Sequence, residues 1–446
     1  MRFEKARGLT ASEQVLADLC ERSFLSLWSY PNLYRKPGKE LTDLLVVFGD
    51  DVILFSDKSC AFPDSGDADL DWKRWFRRSI FKSAEQITQA EDWIKRQPSR
   101  VFLDAKATQL LPVPLPPADR MRVTRVCIAL GGAHRCKAAT GYETLELSPP
   151  TLDDEKAFAV GRLSNTHGWV HVFDDTTLPV ILAELSTIAD FLDYLRKKEA
   201  LYDEGKYVRS FSELDLLGYF LWNNRTFPKV GYDPYGTDPD LWAKVEADAQ
   251  FLAAREENKV SAFWDGLIEY LTDLYMREEL EHGNDHELTD HERVVRVMAA
   301  ETRFMRRVLS KWILERAELA KEGYVGSLVE SPQDGVLYVL VAGPGDGGKD
   351  HQTYREERKK ELVARCFAAK AARPERKTIL GVALDARGVK GSSEDFILMD
   401  TSEWTAADLA KAEEIRKEGQ YFVGQHARLD EKEYPDAAKP SALGER

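Results

Sequence analysis

Two apolar runs in the first sixty residues carry charge at one end. Asp43 opens the first run, Leu44 to Phe48, behind Glu40-Leu41-Thr42. Gly49-Asp50-Asp51 turns the chain, and the second run, Val52-Ile53-Leu54-Phe55, leads into Ser56-Asp57-Lys58. Runs this apolar read as two paired strands in a buried sheet. Packing gives such a sheet no reason to end in carboxylates beside an amine, because unpaired buried charge is costly. A divalent metal and a phosphate suit the cluster better than a core does.

Other elements must position these groups. Residues 10–27 read as a helix with Leu16, Leu19, Phe24 and Leu27 on one face. Residues 72–100 read as a second helix packed on the sheet, strongly basic, with Lys82, Ser83 and Gln86 on its polar side. Strands are expected at 101–104, 122–130 and 169–173, and an amphipathic helix at 177–195. Together these make an α/β domain over residues 1–205, a mixed sheet flanked by helices. A helical domain, 206–322, follows; it is broken by turn-rich stretches at 223–236 and 283–290. Thr289-Asp290-His291-Glu292 has capping-box spacing and marks an expected helix start. Residues 323–426 form a second, smaller α/β region, with strands at 336–341, 378–384 and 396–399 and helices at 355–371 and from Ala406. The charged, proline-bearing residues 427–446 are expected to be a flexible tail.

Composition limits the chemistry. The 446 residues, 43% hydrophobic and 31% charged, suit two or three globular domains. No apolar stretch approaches the roughly 20 residues of a membrane span, and Met1-Arg2-Phe3-Glu4-Lys5 does not begin a signal peptide. Five scattered cysteines without a C-x-x-C pair argue for reduced thiols in a cytoplasm. A net charge of −14 counts against an all-over nucleic-acid binder but leaves room for a local basic surface.

A carboxylate-bearing helix, a strand opened by Asp43, a hairpin, Lys58 and then a helix bearing Gln86 resemble the PD-(D/E)xK nuclease superfamily, the restriction-endonuclease-like fold. The resemblance covers the first two hundred residues. It implies a restriction-endonuclease-like mixed sheet, Mg²⁺ (or Mn²⁺) as cofactor, Asp43 as the strand-opening metal ligand and Lys58 as the lysine beside the attacking water. Glu13 would be the helical carboxylate and Glu40 a nearer, non-helical one, with Gln86 and Ser83 as polar groups facing the site. The sequence departs from the family at Ser56, two before Lys58, where an acidic residue is usual. Hairpin register decides what this means, since a shift of one residue exchanges faces. A two-residue turn at Asp50-Asp51 sets Asp43 opposite Lys58, and a three-residue turn at Gly49-Asp50-Asp51 sets it opposite Asp57. Either Asp57 replaces the missing carboxylate, or Glu40 or Glu13 completes the site, or the site is impaired. The expected metal ligands are Glu40, Asp43 and Asp57.

Residues 72–100 hold Lys73, Arg74, Arg77, Arg78, Lys82, Lys95, Arg96 and Arg100 against Glu85, Glu91 and Asp92, a balance of +5. This is either a solvated helix face or a surface that positions phosphates, through Arg74, Arg77, Arg78, Lys82 and Ser83. Three other signals compete. Residues 343–350, Gly-Pro-Gly-Asp-Gly-Gly-Lys-Asp, satisfy a phosphate-loop pattern, but Asp350 stands where a Ser or Thr hydroxyl would bind Mg²⁺. His282, His286 and His291 suggest metal without sharing a helical face. The clusters Arg303, Arg306, Arg307, Lys311 and Arg355, Arg358, Lys359, Lys360, Arg365 are solvated faces or a second nucleic-acid or partner surface.

The expectation is a cytoplasmic, Mg²⁺-dependent nuclease with no membrane association. It would act on DNA rather than RNA, with a homo-oligomer or partner protein accommodated by the later regions. Antiphage defence is a family-level expectation. The alternatives are an impaired nuclease-fold binding or scaffolding protein, and a nucleotide-dependent enzyme using Lys349.

Overall fold

Thr10 opens the first helix, α1 (Ala11–Phe24), through a reciprocal capping box with Glu13. The helix stops short of residue 27 because Leu25 turns to φ +68° and residues 26–28 tighten into a 3₁₀ turn. Strand β1 (Ser29–Lys36), which no apolar alternation announces, then pairs antiparallel with β2 (Lys39–Phe48), and β2 pairs antiparallel with β3 (Asp51–Asp57). These coordinates are a computed structural model, which describes residues 3–204, 208–227, 235–348, 350–389, 393–423 and 431–436.

The basic helix forms as α2 (Ala68–Phe76) and α3 (Lys82–Arg96), joined without a break by a π turn over Arg77–Phe81. Its apolar face, including Trp72, Trp75, Phe76, Ile80, Ile87 and Ile94, is buried, and α3 lies across β2, β3 and β4 (Arg122–Ala129). The strand expected at 101–104 reduces to single bridges from Phe102 to Tyr34 and Leu110.

Next come α4 (Ala133–Thr140), the short paired strands β5 (Glu146–Leu152) and β6 (Ala159–Arg162), and β7 (Val170–Asp174). The main sheet has the order β1-β2-β3-β4-β7, antiparallel as far as β3 and parallel from β3 to β7. The helix expected at 177–195 is two, α5 (Thr177–Glu184) and α6 (Ile188–Asp203), because the Thr187 side chain caps a new start at Asp190 N–H. Phe24 of α1 and Phe191 of α6 pack on Phe55 from the face opposite α3.

The chain continues through β8 (Val208–Arg209), α7 (Glu213–Trp222), β9 (Tyr235–Gly236), α8 (Leu241–Glu246), α9 (Ala249–Asn258), α10 (Ala262–Arg277) and α11 (Leu288–Ala299). Helix α11 begins before Thr289, so the expected capping box is not one. Glu292 instead accepts the Trp28 indole N–H at 2.9 Å.

The chain divides into two compact units, Met1–Leu252 with Glu269–Glu292 and Ala253–Ile268 with Arg293–Arg446. The second contains α12 (Arg303–Leu319), β10 (Val325–Glu330), β11 (Val336–Gly343), α13 (His351–Ala372), β12 (Thr378–Asp385), β13 (Asp395–Asp400) and α14 (Ala406–Glu418). Its sheet has the order β10-β11-β12-β13, with only β11 and β12 parallel. Leu362, Cys366 and Ala369 of α13 pack on Leu337, Val339 and Ile379. The approach is close: a Cβ at Gly381 would lie 2.7 Å from Cys366 Sγ. The molecule is thus a mixed α/β protein with helices flanking mixed sheets. Among the described residues no helix is long and apolar enough to cross a membrane.

Part of the expected tail, residues 431–436, is held within this unit. Arg307 donates to Lys432 O at 2.5 Å, and Lys311 pairs with Glu431 at 2.9 Å. Residues 427–430 and 437–446 lie outside the described residues.

Candidate active site

The register of β2 on β3 sets the site. Leu44 stands opposite Phe55 and Phe48 opposite Asp51, which leaves Gly49-Asp50 alone as the turn. Gly49, at the first central position with φ +60°, has the placement of a type II′ hairpin. Neither expected register forms, because Asp51 belongs to the strand and is pinned there. Arg122 donates to its two carboxylate oxygens at 2.8 and 3.0 Å, and Arg196 reaches it as well. One more step along the observed pairing puts Asp43 opposite Ser56, not Lys58 or Asp57.

Asp43 is buried and fully engaged. Its Oδ2 accepts from Asp57 N–H at 2.6 Å and from the Ser56 hydroxyl at 3.1 Å, and lies 3.5 Å from Lys58 Nζ. Gln86 of α3 donates to its Oδ1 at 3.4 Å. Ser56 Oγ is also 3.1 Å from Gln86 Oε1, so its single proton serves one of two acceptors at a time. Ser83 does not face outward as a phosphate contact. It is buried and donates to Ser56 O at 3.3 Å, tying α3 to β3.

Asp57 does not join the group. Strand alternation directs its side chain away from the Ser56 face. Its Oδ1 accepts from Ser59 N–H at 2.9 Å and Ser59 Oγ at 2.6 Å, while Oδ2 is buried without a partner. Glu13 serves first as a cap, accepting from Leu9 N–H at 2.8 Å and Thr10 N–H at 3.2 Å. Its charge still reaches Glu40 and Asp43.

Electrostatics tie Glu40 to the group. Burial, then the Asp43 carboxylate, push the Glu40 carboxyl from 4.5 up to about 7 against the pull of Lys58. Burial likewise raises Asp43, opposed by Lys58 and by the hydrogen bonds from Asp57 and Ser56. Among the described residues no three His, Cys, Asp or Glu side chains form a ready metal cage. The expected trio of Glu40, Asp43 and Asp57 is therefore not assembled, and its remaining members are Glu40 and Asp43. Their hard oxygen donors, unfavourable when ionised together, fit a divalent cation that keeps most of its waters.

The basic helix sorts itself by pairing. Glu91 is buried between Arg125, at 2.6 Å, and Lys95, at 2.7 Å, and Asp92 meets Arg96 and His167. Lys73, Arg74, Arg77, Arg78 and Lys82 are exposed, and no ion pair among the described residues holds them. Lys82 lies one helical turn before Gln86, so this surface adjoins the site.

The competing signals become structural. Asp350 caps α13 by accepting Thr353 N–H at 3.1 Å, and Asp385 at the end of β12 is occupied by Arg358 and Tyr354. Lys349 lies outside the described residues. His291 stacks on Tyr275 at 4.3 Å, and the His286 carbonyl accepts the Tyr275 hydroxyl. Arg306, Arg307, Arg358 and Arg365 are buried rather than solvated, with Asp265, Glu431, Asp385 and Glu361 as partners. Arg122 and Arg196, which lock the hairpin register through Asp51, carry no local signal, lying 71 and 145 residues away in sequence. Comparison with protein-family models, curated proteins and solved structures finds no match to this chain.

Proposed function

We propose that this protein is a Mg²⁺-dependent nuclease (Mn²⁺ substituting) of the PD-(D/E)xK kind, hydrolysing phosphodiester bonds in nucleic acid, with DNA as its substrate. The observation that carries the reading is the contact set at Asp43. A buried carboxylate at the mouth of paired strands lies 3.5 Å from Lys58 and within hydrogen-bond reach of Gln86 from the following helix. The element order supports the fold reading: a helix bearing Glu13, a strand opened by Asp43, a hairpin, Lys58, then the helix bearing Gln86.

Asp43 and Glu40 would hold the ion. When bound, it supplies polarisation of a phosphoryl oxygen and a more acidic water. Lys58, 37% exposed, directs positive charge to where negative charge gathers on an attacked phosphate. Gln86 and Ser56 fix the orientation of Asp43, and the unpaired cations of the basic helix position the backbone without reading sequence. Antiphage defence fits this activity as a biological setting.

One observation favours a second reading. Ser56 occupies the place of the usual carboxylate and Asp57 turns away, as in a protein that keeps the architecture to bind rather than cut. The discriminating experiment incubates the purified protein with plasmid, single-stranded DNA and RNA in Mg²⁺, beside Asp43→Ala and Lys58→Ala. Cutting by the parent that both variants lose supports the nuclease. Equal cutting by all three removes these residues from the chemistry, and binding without cutting supports the second reading.

A further inference from the structure

A second cationic feature lies at the tip of the β1–β2 hairpin, one residue from Glu40. Lys36 and Lys39 are direct partners across the Pro37-Gly38 turn, and both are exposed. Like charges directly opposite on paired strands destabilise the pairing, so packing does not explain them. Lys106 joins them: the turn is braced by Gly38 N–H donating to Ala105 O at 2.8 Å, the residue before Lys106. Gly38, at φ +65°, makes the bend that brings this N–H to the carbonyl.

The nearby acids do not pair with the three lysines. Asp104 accepts backbone N–H groups of Lys106 at 2.9 Å, Thr108 at 2.9 Å and Gln109 at 2.6 Å. Glu13 is spent on its cap, and Glu40 interacts with Asp43 and Lys58. No ion pair among the described residues involves Lys36, Lys39 or Lys106. Beside them Arg35 stacks over Trp93, 5.9 Å from the ring centroid, with its Nε buried and lacking an acceptor. In a chain of net charge −14, none of the four cations around this turn is held in an ion pair among the described residues.

We propose that the β1–β2 tip is a second anchor for a sugar–phosphate backbone, with Lys36, Lys39 and Lys106 as its contacts. This rests on the nuclease reading and extends it. Lys39 is four residues before Asp43 on the strand, about 13 Å at about 3.3 Å per residue. Lys82 is four residues before Gln86 on the helix, about 6 Å at about 1.5 Å per residue. A backbone held by both sets has Asp43 within reach between two fixed contacts, which aligns it before any chemistry.

The test measures binding of fluorescently labelled duplex DNA, single-stranded DNA and RNA in EDTA, from about 50 to 200 mM salt. It compares the parent, Lys36→Ala/Lys39→Ala/Lys106→Ala, and Arg74→Ala/Arg77→Ala/Arg78→Ala/Lys82→Ala. All seven positions are exposed, and circular dichroism checks the fold. Each phosphate contact contributes about 0.9 to the slope of log affinity against log salt on a duplex, so losing three lowers the slope by about 2.7. That loss is the expected result, and the nucleic acid showing it identifies the ligand. A lysine variant that binds like the parent while the helix variant weakens overturns the second anchor and leaves the nuclease reading standing. A parent that binds none of the three probes overturns both.

Discussion

Replacing Glu40 by glutamine removes the charge most at odds with its surroundings. With its carboxyl raised from 4.5 to about 7 in the folded protein, Glu40 binds a proton more tightly there than in the unfolded chain. The sign follows from linkage: stability is full below about pH 4.5, where both states are protonated. It then falls as pH rises through about 7, because the unfolded chain ionises first. At about 1.4 kcal/mol per pKa unit, the rise would amount to about 3.4 kcal/mol for a group sealed from water. Glu40 is only half-buried, and solvent screening reduces this to roughly 1–1.5 kcal/mol. Glu40→Gln should therefore match the parent near pH 4.5 and exceed it by roughly 2–6 °C in Tm near pH 8, on a scale of about 2–4 °C per kcal/mol. Thermal melts of metal-free protein across that range measure the gap. Parent and variant curves that stay parallel from pH 4.5 to 8 would refute the claim that Glu40 is strained by burial and by Asp43.

Two further perturbations probe the site and the second unit. Ser56→Asp places a carboxylate directly opposite Asp43 and should lower metal-free stability near pH 8 by about 3–5 kcal/mol, because Ser56 is fully buried and a second carboxylate there is unpaired. It should also enlarge the Mg²⁺-dependent rise in Tm, and a rise no larger than the parent's would show that the missing acid is not what limits metal binding. Arg358→Met leaves the buried Asp385 and the half-buried Asp395 without the guanidinium that pairs with both. Its expected cost is about 3–5 kcal/mol in urea unfolding, and a loss below about 1 kcal/mol would mean that Tyr354 and the backbone N–H of Ser393 satisfy Asp385 unaided.

The apolar runs, the charges at their ends and the amphipathic helices are local properties, and they determined the strands β2, β3, β4 and β7 and the basic face of α2–α3 in advance. Residue types alone also singled out Asp43, Lys58 and Gln86, since charge at the end of a buried strand needs a partner wherever the chain folds. Tertiary structure decided which carboxylates stand together. Period-two alternation cannot reveal register: one residue of turn length sends Asp57 away and sets Ser56 against Asp43. That residue was settled by Arg122 and Arg196, distant in sequence, which hold Asp51 in the strand. Pairing likewise decided which charges remain free. Composition counts charges, but only the fold pairs Glu91 with Arg125, and Arg358 with Asp385 and Asp395, leaving Lys73, Arg74, Arg77, Arg78 and Lys82 open to solvent. The reason is the same throughout: hydrophobic pattern acts over a few residues, whereas these ion pairs join positions 27 to 145 residues apart.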